Sequence, residues 1–235
     1  MDEIGAAFQM ALSLVVSGDR ALFEIIGLSI WVSVWAMAVS CAIGLPIGAV
    51  VAIGRFPGRQ GVIVLLNALT GLPPVVVGLL VYLLLSNAGP LGGLGLLYTP
   101  LAMIIAQFIL VTPIIAALSR QVIEDLNDEY EEQFRSFCVP KRTAAAALLW
   151  DARFSLLTVG LAGFGRAISE VGAVLIVGGN INHLTRVMTT AIALETSKGE
   201  LAFALALGLV LIVIALAVNG VVMAFRTTAS RSAYG

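Results

Sequence analysis

From residue 60 to residue 119 the chain carries no charged side chain. That stretch has room for two membrane spans of about 20 residues each, with a polar turn between them. The rest of the chain agrees. Of 235 residues, 60% are hydrophobic and 11% are charged, and the mean hydropathy is +1.04. A soluble domain carries about 25% charge. Polar groups are too few to cover a water-facing surface, so lipid is the solvent and an all-α integral membrane protein is expected. A net charge of −1 argues against nucleic acid as a partner. The start, Met1-Asp2-Glu3, is acidic, the reverse of the basic head of a secretory signal. Cys41 and Cys138 fall in or near apolar segments and read as small packing residues, not as a disulfide.

The order of elements follows from hydropathy and breakers. Residues 4–16 are apolar but fall short of the ~17-residue minimum for a span. Residues 1–20 are therefore expected to lie on the membrane as an amphipathic helix. A first span covers about 25–53, with a kink expected at Pro46 between Gly44 and Gly48. A basic turn with Arg55 and Arg59 leads to a second span at 62–85. Gly71-Leu72-Pro73-Pro74 lies near its start, and the two prolines lack N–H donors and open the helix. After an uncharged Gly/Pro loop at 86–98, a third span covers 100–118. Residues 120–153 are the polar part, with alanines at helical period, and read as surface helices. A fourth span covers 154–177 and ends at Gly178-Gly179-Asn180. A short helix is expected within 185–196, a fifth span at 201–225, and a tail at 226–235.

Five spans set the orientation. Nine of the 13 basic residues (Arg55, Arg59, Arg120, Arg135, Lys141, Arg142, Arg153, Arg226 and Arg231) then share one side. Lys and Arg collect in the cytoplasm. The N-terminus is thus expected outside, and the large polar loop and the C-terminus inside.

Few residues are equipped for chemistry. No Gly-Lys pair exists, so the chain lacks a phosphate-binding loop of the G-x-x-x-x-G-K-[ST] kind. His183 is the single histidine, expected to be a solvated loop residue, and no metal-ligand cluster surrounds it. No nucleophile–base set is visible, so no catalytic residue is assigned. Arg166 and Glu170 are the charges inside an expected span. Four residues apart, they share a helix face. They form either a self-neutralising packing pair or part of a water-accessible path or inner gate. Gly160, Gly163, Gly165 and Gly172 on the same span allow close helix approach. The polar loop, more than thirty residues in a chain of short loops, suggests a docking element for a soluble partner.

Several stretches resemble one family. Glu132-Gln133-Phe134, followed by Cys138, stands where type I binding-protein-dependent ABC importer permeases carry Glu-Ala-Ala, three residues, then Gly. Glu132 is the residue that agrees. Gly163-Phe164-Gly165-Arg166-Ala167-Ile168-Ser169-Glu170-Val171-Gly172-Ala173 resembles the stretch after the coupling helix in oxyanion permeases. Gly71-Leu72-Pro73-Pro74-Val75-Val76-Val77-Gly78 and Gly89-Pro90-Leu91-Gly92 are similar to the molybdate and tungstate branches. Thr185-Arg186-Val187-Met188-Thr189-Thr190 with Glu195-Thr196 is most similar to the tungstate branch. The resemblance implies about five transmembrane helices over 25–225, with a cytoplasmic coupling helix within 120–153. It also implies a homodimer in the plasma membrane of a prokaryote, with cytoplasmic ATPase subunits that use ATP and Mg²⁺, and an external oxyanion-binding protein. It places coupling to the ATPase at Glu131, Glu132, Phe134, Cys138, Lys141 and Arg142. Candidates to line the oxyanion path are Thr70, Pro73, Pro74, Arg166, Ser169, Glu170, Asn180, Thr189 and Thr190. Molybdate is the alternative ion. A stand-alone secondary transporter is the alternative class, but that reading needs inverted repeats and a coupling-ion site.

Overall fold

A computed structural model describes the backbone of residues 2–233, and side chains from Phe8 to Val221 except those of Lys141 and Asn219. Lys141, one of the residues assigned to coupling, and the tail residues Arg226 and Arg231 therefore fall outside the described side chains. Among the described residues the structure is helix and turn, without a strand. Its helices are α1 (Asp2–Ser17), α2 (Arg20–Ile53), α3 (Arg59–Thr70), α4 (Pro74–Leu85), α5 (Pro100–Ser136), α6 (Lys141–Asp151), α7 (Arg153–Ile168), α8 (Gly172–Gly178), α9 (Met188–Lys198) and α10 (Leu201–Ala233). Three helices are long and apolar enough to cross a membrane, or up to five when each of two bent pairs counts as one span.

The first break is at Gly18, which takes a left-handed backbone (φ 71°). Asp19 then caps α2, its Oδ1 accepting the Leu22 N–H at 2.9 Å. Helix α2 runs on through Pro46. The glycines beside Pro46 serve packing. A Cβ on Gly48 would stand 2.7 Å from the Ala116 carbonyl oxygen and closer still to the Ser119 hydroxyl. Backbones meet there as only glycine allows.

Three expected boundaries change. The third span and the first part of the polar loop are one helix, α5, which continues past Arg120 to Ser136. The charged residues after 120 are spaced within a helical run, and α5 continues through Pro113 to Ser136. The second span is two helices, α3 and α4, with a break at Gly71–Pro73. Pro74 takes the first position of α4, where a missing N–H costs nothing. The Pro73 carbonyl accepts from Val76 and Val77. The fourth span is broken too: α7 stops at Ile168, and α8 begins at Gly172. Upstream, α6 and α7 meet at a bend of 64°.

The chain forms two compact units: one of residues 1–36, 73–107 and 165–218, the other of 37–72, 108–164 and 219–235. In the first, Gly78 of α4 meets α8 so closely that a Cβ would lie 2.7 Å from the Ala173 Cα. Its centre is closed by Met103, Val174, Val177, Met188 and Leu207, each fully buried. In the second, Ala52, Ile123, Ala152 and Leu156 form the core, with Leu45, Ala49 and Val122 packed around it. Many large apolar side chains face outward, among them Trp31, Trp35, Leu79, Leu80, Leu83, Ile212, Val213 and Leu216. Facing lipid, that surface carries no penalty.

Candidate functional site

The break between α7 and α8 gathers four of the nine expected path residues, Arg166, Ser169, Glu170 and Thr189, and side chains cover three of the carbonyls around it. Ser169 donates its hydroxyl to the Gly165 oxygen at 2.9 Å. Gln107, from α5, donates Nε2 to the Ala167 oxygen at 3.0 Å. Thr189, from α9, donates to the Glu170 oxygen at 2.8 Å. Unwound backbone at membrane depth survives only where such partners cover it.

Glu170 is only 4% exposed. Its Oε2 accepts from Arg166 Nη1, and its Oε1 accepts the Ala173 N–H at 3.3 Å, at the start of α8. The pair is therefore not two neighbours along one helix. Arg166 is on α7, and Glu170 lies beyond its end, holding the next helix by its free N–H. Arg166 remains 35% exposed. Ser29, Ser33, Gln107, Glu170 and Thr189 line one small cavity. Gln107 Oε1 lies in this buried set with no partner among the described residues.

The remaining path candidates are elsewhere. Asn180, at φ 50°, and Thr190 bind each other: Thr190 Oγ1 donates to Asn180 Oδ1 at 3.0 Å, and Asn180 Nδ2 donates to the Thr190 oxygen at 3.3 Å. Thr70 is exposed and donates to the Asn67 oxygen at the end of α3. Pro73 and Pro74 open α4. Thr185 was not singled out, yet it is buried, accepts from the Ile181 N–H and donates to the Gly178 oxygen. Nor is His183 merely solvated: its Nδ1 is 2.7 Å from Glu24 Oε2.

The second constellation is the turn that ends α5. Cys138 adopts a left-handed backbone (φ 49°), the conformation that favours glycine. Val139 N–H donates to the Phe134 oxygen at 2.9 Å and Cys138 N–H to the Arg135 oxygen at 3.2 Å, closing the helix end. Phe134 turns inward, its ring 5.8 Å from Tyr130. It lines a groove with Arg55, Glu131, Arg135 and Val139. Asp151, beside the Tyr130 phenol, pushes its pKa up. Glu131 pairs with Arg55 at 3.1 Å, an exposed contact worth about 0–1 kcal/mol. Glu132 and Arg142 are exposed. Sequence reasoning missed Phe137, which is 80% exposed at the tip of the turn. It also missed Arg59, which donates to the last carbonyls of α2 (Val51 at 2.8 Å, Ala52 at 3.3 Å) and to Glu124, itself paired with Arg120. The signal was present: a basic residue just past a helix end and an Arg–Glu pair four apart.

Among the described residues, no group of three or more His, Cys, Asp or Glu could hold a metal ion. Both thiols are free. No family model matches the chain. Individual proteins do. It is 40% identical to the tungstate uptake system permease TupB of Peptoclostridium acidaminophilum, over 96% of this chain and 99% of that one. It is also 40% identical to a probable anion ABC transporter permease of Haloferax volcanii, over 87% and 90%. TupB of Campylobacter jejuni is 36% identical over 97% and 95%. The chain belongs to this family of anion ABC transporter permeases. The permease is thus a multi-pass membrane protein and a transport subunit, working in general with ATPase and substrate-binding partners.

Proposed function

We propose that this permease carries tungstate inward in an ATP-driven importer. The observation behind this reading is the near-full-length, 40% identity to a tungstate uptake permease. Molybdate, almost the same in size and charge, is the second candidate ion, with the choice made largely by the external binding protein. Two copies of the chain form the path. Two ATPase subunits bind ATP and Mg²⁺ on the inner face. The basic residues at 55, 59 and 120–153 support an inner position for the turn at Cys138, and hence the N-terminus outside.

In this reading nucleotide binding draws the two Cys138 turns together and opens the path outward, and hydrolysis returns it. Differential affinity of nucleotide for the two states drives the shift. A dianion in a low-dielectric path is costly to hold. The Ser169 and Thr70 hydroxyls, once turned from the helix carbonyls they bond here, lower that cost without trapping the ion. The half-exposed Arg166 adds positive charge that its pairing with Glu170 tempers.

Phe137 joins Phe134 among the residues proposed for coupling. It is the aromatic side chain at the apex of the turn, free to enter a groove on the ATPase. Aromatic anchors of this kind cost about 2 kcal/mol or more when truncated. Co-purification tests the reading: the ATPase subunit is recovered in stoichiometric complex with the wild-type chain, and F137A loses it while inserting normally. Intact complexes with F137A would remove Phe137 from the interface, and oxyanion uptake without any ATPase would overturn the importer.

A further inference from the structure

Helices α2 and α7, with the end of α6, enclose an open channel in the second unit. Its walls are Met37, Cys41 and Leu45 on one side and Leu149, Leu156, Leu157 and Gly160 on the other. They are almost wholly apolar. The polar exception is Arg153, at the end where the apolar stretch of α7 gives way to Asp151. Its guanidinium carbon is 4.5 Å from the centre of the Trp150 ring and 4.6 Å from that of Phe154. Its Nη1 donates to the Trp150 oxygen at 2.6 Å. Two aromatic rings and a carbonyl thus fix the charge in place.

Arg153 has no acidic partner among the described residues. A guanidinium has five N–H donors, so most remain free for an anion. Trp150, 68% exposed, lies beside it as tryptophans do at the membrane–water interface.

Chemistry and length choose the occupant. Nine residues of helix, from Met37 to Leu45 or from Arg153 to Leu161, rise by about 12 Å. That is within one leaflet of a hydrocarbon core about 30 Å thick. An apolar wall of that length with one unpaired cation at its interfacial end matches an alkyl chain that carries an anionic headgroup. We propose that the channel between α2 and α7 binds one acyl chain of an anionic phospholipid whose phosphate rests on Arg153.

Native mass spectrometry of the full chain, exchanged into detergent with phosphatidylglycerol or phosphatidylcholine, tests this. One phosphatidylglycerol is expected to stay bound per chain, in preference to phosphatidylcholine. R153Q should reduce that retention about fivefold, the effect of one basic residue at an anionic surface. R153K, which keeps the charge, should retain more than R153Q. L157W, which fills the channel from its exposed side (Leu157 is 44% exposed), should abolish retention with Arg153 intact. Equal retention of the two lipids, or retention unchanged in R153Q, overturns the proposal. So does a Cys41–Cys41 crosslink between two C138S chains that phosphatidylglycerol does not suppress, because a second copy would then cover the channel.

Discussion

At Glu170 the cost of error is lopsided. Its side chain is 4% exposed, whereas that of Arg166 is 35% exposed. Arg166→Met leaves a buried charge unmatched and should cost about 3–5 kcal/mol. Glu170→Gln keeps an oxygen for the Ala173 N–H and leaves the charge on the more exposed partner, so it should cost clearly less. Thermal unfolding of the two variants in detergent measures the difference, and equal losses would contradict the assigned burial. Cys138 gives a second case. A side chain in the left-handed region costs about 1–2 kcal/mol. Cys138→Gly should therefore leave stability equal or higher, while the β-branched Cys138→Val should lower it; a loss with glycine would remove the strain argument. The sequence displayed Arg166 and Glu170 as a spacing of four, which is also how they pair. It did not display that the helix ends between them. That end depends on Gln107 and Thr189, distant in sequence, supplying the hydrogen bonds that an unbroken helix would make for itself.

Among the elements, helix type and order were legible, because hydrophobic runs, Gly-Gly-Asn and Pro-Pro pairs act locally. Asn180 ends the fourth apolar segment in a left-handed backbone, and Pro74 starts a helix. Lengths were less legible. Charge after Arg120 signals the edge of the lipid, and α5 simply passes through that edge as a helix. Gly44 and Gly48 look like kink residues beside Pro46 when one helix is read by itself; their use is visible only with α5 in place. Gly48→Val should overpack that contact and cost about 1–3 kcal/mol. Valine at Gly61, where a Cβ meets nothing within 4 Å, should cost less. A melting comparison in detergent checks the pair, and similar melting points would show that α2 and α5 do not depend on that close approach.

For the whole molecule, composition alone requires lipid. Near-full-length identity to anion permeases supplies the family. Neither composition nor helix packing chooses the ion, because the hydroxyl-bearing residues of the proposed path would serve tungstate and molybdate alike. The most direct measurement is oxyanion accumulation in proteoliposomes that hold the permease with its ATPase and binding protein. Tungstate accumulation that requires ATP and all three components, and that stops when the ATPase is left out, is the predicted result. Accumulation that continues without the ATPase or without ATP would contradict it.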